Sequence, residues 1–135
     1  MSMKTTGKKV TASLEDYLEA IFFLNGESQD VRVTDLAIEL NISKPSVNRA
    51  INTLKSQGYV EHEHYGSLRL TEEGLRIARN MAGRHKMLKC FLIEVLNVDE
   101  DVAEEEACSI EHHLSADTIE KMKQFLDKTL ESKNK

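Results

Sequence analysis

Cys108, Glu111 and His112 stand at i, i+3 and i+4, so on a helix one face carries a thiol, a carboxylate and an imidazole. Glu104 and Glu105 extend that stripe one turn earlier as further candidate ligands, and Ala103, Ala107, Ile110 and Leu114 run beside it. Burying several carboxylates without compensation is expensive, and a bound cation is the economical remedy. Two more groups have suitable chemistry: Asp16 and Glu19 at i and i+3 near the N-terminus, and His85 between Met81 and Leu88. Each residue alone has a plainer reading. Asp16, three after Ser13, fits a capping box, Glu19 a solvated face, His85 a satisfied core histidine and Cys108 a small buried hydrophobe. Taken together, Asp16, Glu19, His85, Cys108, Glu111 and His112 form one donor set suited to a divalent transition metal.

A second constellation lies upstream. Between Asn41 and Val60 the chain holds Lys44, Arg49 and Lys55 and no acid, whereas Asp99 to Glu111 holds seven acids and no base. The net charge of −5 excludes an indiscriminate polyanion binder, so the local segregation of charge carries the information. If Val47, Ala50, Ile51 and Leu54 face a core, the opposite helix face shows Pro45, Asn48, Arg49 and Asn52, with Ser43, Lys44 and Ser46 near the N-terminal end. Arginine reads guanine or phosphate, asparagine reads adenine, serine bonds phosphate and proline touches a thymine methyl. Arg69 is the corresponding phosphate candidate on a wing. His62 and His64 share a strand face and read as a solvated edge.

The elements that must position these groups follow from periodicity. Ser13 caps a first helix with Leu14, Tyr17, Leu18, Ile21 and Phe22 on one face, and Asn25 to Asp30 is a polar loop. Thr34 caps a short second helix, and Asn41-Ile42-Ser43 turns into a third, with Pro45 in its first turn and Gly58 at its end. Tyr59 to Leu70 alternates as a hairpin with its tip at Tyr65-Gly66. A long helix then runs from Thr71 to about Leu96, a fifth from Glu100 to Leu114, and a sixth begins after Ser115. The fold expected is mainly α: a winged helix-turn-helix DNA-binding domain over residues 1–73, then an all-helical metal-binding and dimerisation domain over 74–135. Leu88, Phe91, Leu92, Val95 and Leu96 of the fourth helix, with the fifth and sixth helices, form the expected dimer surface.

With 135 residues the chain can bury one respectable core and a smaller unit. No apolar run approaches the roughly 20 residues of a membrane span, and Cys90 and Cys108 come without a secretion signal, so a cytoplasmic protein with reduced thiols is expected.

Four segments resemble the diphtheria toxin repressor and manganese transport regulator family: S-L-E-D-Y-L-E-A-I from Ser13, S-K-P-S-V-N-R from Ser43, R-H-K-M-L over 84–88 and E-A-C-S-I-E-H-H-L-S over 106–115. The resemblance covers residues 13 to about 130 and implies divalent-metal activation of a repressor of metal-uptake genes, acting as a homodimer on double-stranded operator DNA. It also implies a short form lacking the C-terminal SH3-like domain of larger members. Asp16, Glu19 and His85 match the manganese branch, Glu111 and His112 match both branches, and Cys108 matches the iron branch. The iron branch's ancillary glutamate and histidine fall on Lys89 and Glu104. Mn²⁺ or Fe²⁺ is the implied cofactor, with Co²⁺, Ni²⁺ and Zn²⁺ as in vitro substitutes. No enzyme activity is implied. The competing readings are a metal-independent winged-helix regulator sensing thiol oxidation, and a metal-dependent hydrolase, for which no nucleophile motif or HExxH signature is present.

Overall fold

The computed structural model describes residues 12–24, 30–63 and 67–134. Its elements are α1 (Ala12–Phe23), β1 (Val31–Arg32), α2 (Val33–Leu40), α3 (Lys44–Ser56), β2 (Val60–His62), β3 (Ser67–Leu70), α4 (Glu72–Glu94), α5 (Glu100–Ile110) and α6 (Ala116–Lys133). They form two compact units that divide inside α4, one up to Arg79 and the other from Asn80. No helix among the described residues is long and apolar enough to cross a membrane.

In the first unit Leu18 and Ile21 of α1, Leu36 of α2, Val47, Ile51 and Leu54 of α3 and Leu68 of β3 are fully buried in one cluster. The three- and four-residue spacing on the helices puts these side chains on the faces that meet. Strand β3 is central in a three-stranded antiparallel sheet of order β1-β3-β2. Along β3, Leu68 and Leu70 are buried and Arg69 between them is exposed, the two-residue alternation of a half-buried sheet. The hairpin is therefore the expected wing, closed below its tip by the Glu63 N–H bond to the Ser67 carbonyl at 2.9 Å. His64 and Tyr65-Gly66 lie outside the described residues.

Strand β1 is absent from the sequence reading. Two residues carry no periodicity, and Val31 and Arg32 become a strand only by pairing with Leu68 and Ser67. That pairing also moves the start of α2 to Val33, so Thr34 is not its N-cap; Arg32 holds that position and makes no side-chain cap bond. Helix α1 likewise starts at Ala12, placing Ser13 inside its first turn.

Helix α3 is bounded by local chemistry. The Ser43 hydroxyl accepts the Ser46 N–H at 3.3 Å, and Pro45 occupies the first turn. At the other end Gly58 adopts φ +84°, with Gly58 N–H bonded to the Lys55 carbonyl and Tyr59 N–H to that of Leu54, the paired bonds of a Schellman ending. Asn41, at φ 56°, ends α2 the same way through Ile42 N–H to the Ala37 carbonyl. Replacing Ser43 with Ala is expected to lower stability by about 1 kcal/mol, visible as a lower urea midpoint at unchanged slope.

In the second unit Met81, Leu88, Ala103, Ala107 and Leu126 are buried. Helix α6 is capped by Ser115, which accepts from Thr118 N–H at 3.1 Å. Helix α5 stops at Ile110, four residues before the sequence expectation. The chain tightens there, with His113 N–H bonded to the Ile110 carbonyl. Leu88 is fully buried and so leaves the expected dimer surface, whereas Leu96, Val102 and Phe125 are exposed, with the Phe125 ring 6.3 Å from that of Phe91.

Candidate metal centre and nucleic-acid face

Helix α4 delivers His85 toward the end of α5. Its Nδ1 lies 2.8 Å from Glu111 Oε1 and its Nε2 lies 2.9 Å from Glu104 Oε2, so the imidazole stands between two carboxylates. Glu111 is fully buried, and His112 Nε2 is 3.5 Å from its other oxygen. Two imidazoles thus converge on one buried carboxylate, a nitrogen and oxygen donor set that fits a divalent transition ion. Glu111 and His112 follow α5 instead of lying within it: Glu111 is the C-cap at φ −59°, ψ −26°. That near-helical geometry keeps the spacing expected of a helix face although the helix has ended.

Glu104 is more exposed and is shared. Its Oε1 is 3.1 Å from Lys89 Nζ, and the hydrogen bond from His85, then that from Lys89, holds its carboxyl below the usual carboxylate range. The bond to Glu104 in turn raises the Lys89 ammonium. Lys89 and Glu104, the two positions matching the iron branch's ancillary ligands, form an ion pair with each other. Glu105 and Cys108 are exposed on α5, so the thiol is not the small buried hydrophobe of the plainer reading. In the first unit, Asp16 is half-buried and Glu19 buried, one turn apart on α1.

Helix α3 turns Val47, Ile51 and Leu54 inward, which leaves Lys44, Pro45, Asn48, Arg49 and Asn52 exposed together with Ser43, and Ser46 half-buried. The Ser46 hydroxyl accepts from both the Ser43 hydroxyl at 3.0 Å and Arg49 Nη2 at 3.2 Å, a ladder at three-residue spacing that orients the guanidinium. Arg49 also acts on α1: burial pushes the Tyr17 phenol up, and the Arg49 charge pulls it back. Arg69 projects from the wing, but its Nε and Nη2 both lie 2.9 Å from Asp30 Oδ1. Such an exposed pair contributes little stability. His62 is half-buried on β2. The Ser43-Ser46-Arg49 ladder and the Asp30 partner escaped the sequence reading; the i, i+3, i+6 spacing of the ladder was its only available signal.

Residues 9–68 match the model of the iron dependent repressor N-terminal DNA binding domain, and residues 71–133 that of the iron dependent repressor metal binding and dimerisation domain. The chain is 40% identical over 120 residues to an HTH-type transcriptional regulator of Methanocaldococcus jannaschii, covering 88% of this chain and 96% of that one. It is 36% identical over 112 residues to the HTH-type transcriptional regulator MntR of Bacillus subtilis, covering 83% and 78%. Among solved structures it is similar to a manganese-dependent transcriptional repressor in complex with manganese, with TM-score 0.77 and 31% identity, covering 84% of this chain and 52% of that chain. It is also similar to IdeR of T. acidophilum, with TM-score 0.73 and 26% identity, covering 93% and 56%. The chain spans about half the length of those two solved chains. With both domain models in order and a recognition helix and a histidine-carboxylate centre in place, the chain belongs to the iron-dependent repressor family of metal-dependent DNA-binding transcriptional repressors.

Proposed function

We propose that this protein is a homodimeric repressor of metal-homeostasis genes whose grip on operator DNA is switched on by Mn²⁺ or Fe²⁺. The observation that carries the reading is the convergence of His85 and His112 on the fully buried Glu111 carboxylate. These three, with Asp16 and Glu19 from α1, are the proposed ligands, and Cys108 is a softer donor from α5. Hard carboxylates and imidazole suit Mn²⁺ and Fe²⁺, whereas a thiolate shifts the balance toward Fe²⁺, Co²⁺, Ni²⁺ or Zn²⁺. Asp16 and Glu19 tilt the assignment toward manganese.

Operator contact is assigned to residues 1–73, with Ser43, Lys44, Pro45, Ser46, Asn48, Arg49 and Asn52 on α3 and Arg69 on the wing. Metal binding and dimerisation are assigned to residues 74–135. The exposed Leu96, Val102 and Phe125 support a second copy of the chain as partner, since two recognition helices are needed to read paired half-sites. Metal binding that orders the chain before DNA arrives removes an ordering cost that would otherwise oppose operator binding.

Operator affinity, measured at fixed salt on DNA selected from a random pool with metal present, is expected to rise about 5- to 150-fold between chelator and excess Mn²⁺. Equal affinity under the two conditions refutes metal activation.

A further inference from the structure

Arg84 and His85 are neighbours on α4, and both act on Glu111. His85 takes the side chain, through Nδ1 to Oε1 at 2.8 Å. Arg84 takes the backbone: its Nη1 donates to the Glu111 carbonyl at 3.0 Å and to the Leu114 carbonyl at 2.7 Å. Those two oxygens bracket the turn, 111–114, that carries Glu111 and His112 beyond the end of α5.

Carbonyls at a helix end have lost their intrahelical donors and carry the negative end of the helix dipole. A partly buried guanidinium supplies both a donor and a compensating positive charge. Without it the Glu111 and Leu114 carbonyls lose this donor and the turn keeps only local bonds such as His113 N–H to the Ile110 carbonyl, so that fraying or a change of pitch re-aims Glu111 and His112. The tie spans 27 residues to Glu111 and 30 to Leu114, so it couples the helix that carries one imidazole to the turn that carries the other.

From this geometry we infer that Arg84 is a positioning residue for the metal centre, fixing the Glu111-to-Leu114 turn so that Glu111 and His112 face His85. The inference rests on the metal reading given under Proposed function. Residues that orient ligands through a hydrogen bond commonly govern metal affinity nearly as strongly as the ligands.

The test is metal affinity of the full chain at 25 °C by competition with a chromogenic chelator, using Mn²⁺ and Co²⁺, alongside the metal-free melting temperature. In Arg84→Met the dissociation constant is expected to weaken about 10- to 100-fold, with a changed Co²⁺ absorption spectrum. Because one nitrogen makes both bonds, Arg84→Lys, whose ammonium has three donors, is expected to stay within about threefold of the unmodified chain. A purely structural role lowers the metal-free melting temperature but leaves the affinity of folded protein unchanged. That result in Arg84→Met overturns the inference, as does equal weakening in the Lys and Met variants. Arg84→Gln covers failure of the Met variant to fold: the same weakening is expected, and unmodified affinity in folded Gln variant also overturns it. If the unmodified chain takes up no metal, the metal reading itself has failed; if it binds and the Met variant matches it, only the role of Arg84 has.

Discussion

Glu111→Gln is expected to weaken Mn²⁺ binding on the order of 100-fold or more, beyond the loss typical of outer-shell partners. The substitution keeps volume and a polar atom for His85 but removes the charge from a fully buried position. A neutral amide is a poor ligand for a hard divalent ion, so affinity falls while packing stays. The two properties separate in a melting experiment. A ligand that binds only the folded state, at about 100 times its dissociation constant, adds about 2.7 kcal/mol, which for a chain of this size is a rise of roughly 10 °C. The unmodified protein should show that rise when Mn²⁺ replaces chelator. Glu111→Gln should show almost none, with a metal-free melting temperature close to that of the parent because the amide keeps the volume and a polar atom for His85 while the desolvation of a buried carboxylate is relieved. A full metal-induced rise in the variant would remove Glu111 from the ligand set.

The second large effect is expected at a residue with no side chain to bind anything. A Cβ on Gly74 would stand 2.0 Å from the Tyr59 carbonyl oxygen and 2.9 Å from its carbon, both backbone atoms with little room to yield. That oxygen already accepts the Thr71 N–H at 3.1 Å, while the Thr71 hydroxyl donates to the Gly58 carbonyl at 2.7 Å and accepts the Gly74 N–H at 3.1 Å. The first turn of α4 is therefore locked onto the chain leaving α3 and entering β2. Gly74→Ala must break this joint, at an expected cost of about 2–4 kcal/mol. Gly83, on the same helix, is an internal control. Among the described residues no atom beyond its own stretch of helix lies within 4 Å of its would-be Cβ, so Gly83→Ala is expected to stabilise by roughly 0.5–1 kcal/mol through helix propensity alone. Calorimetric scans of the two variants should move in opposite directions. A Gly74→Ala protein melting with the parent would show that the joint can slide.

Much of this molecule is written locally. Helix α3 is bounded by Ser43, Pro45 and Gly58, whose roles depend on their own backbone conformation and nearest neighbours, and all three do what their types suggest. The inward Val47, Ile51 and Leu54 and the outward Asn48, Arg49 and Asn52 follow from 3.6-residue periodicity. Cap and turn signals also place α6 after Ser115. The winged helix-turn-helix order, and the donor types available for a metal, were accordingly legible before any coordinates.

What local signals leave open is decided by residues distant in the chain. Strand β1 exists because Leu68 and Ser67 offer it an edge, and it then fixes where α2 begins. Helix α5 ends at Ile110, and an Arg84 guanidinium, 27 residues upstream of Glu111, bonds the Glu111 and Leu114 carbonyls beyond that end, although the sequence keeps helical spacing to Leu114. The same applies to the centre itself. Residue type made His85, Glu111 and His112 candidates for a metal, but only α4 against the end of α5 puts both imidazoles on one buried carboxylate and leaves Cys108 exposed. Periodicity reports which side of a helix is apolar; hydrogen bonds between elements determine where the helix stops and which donors meet.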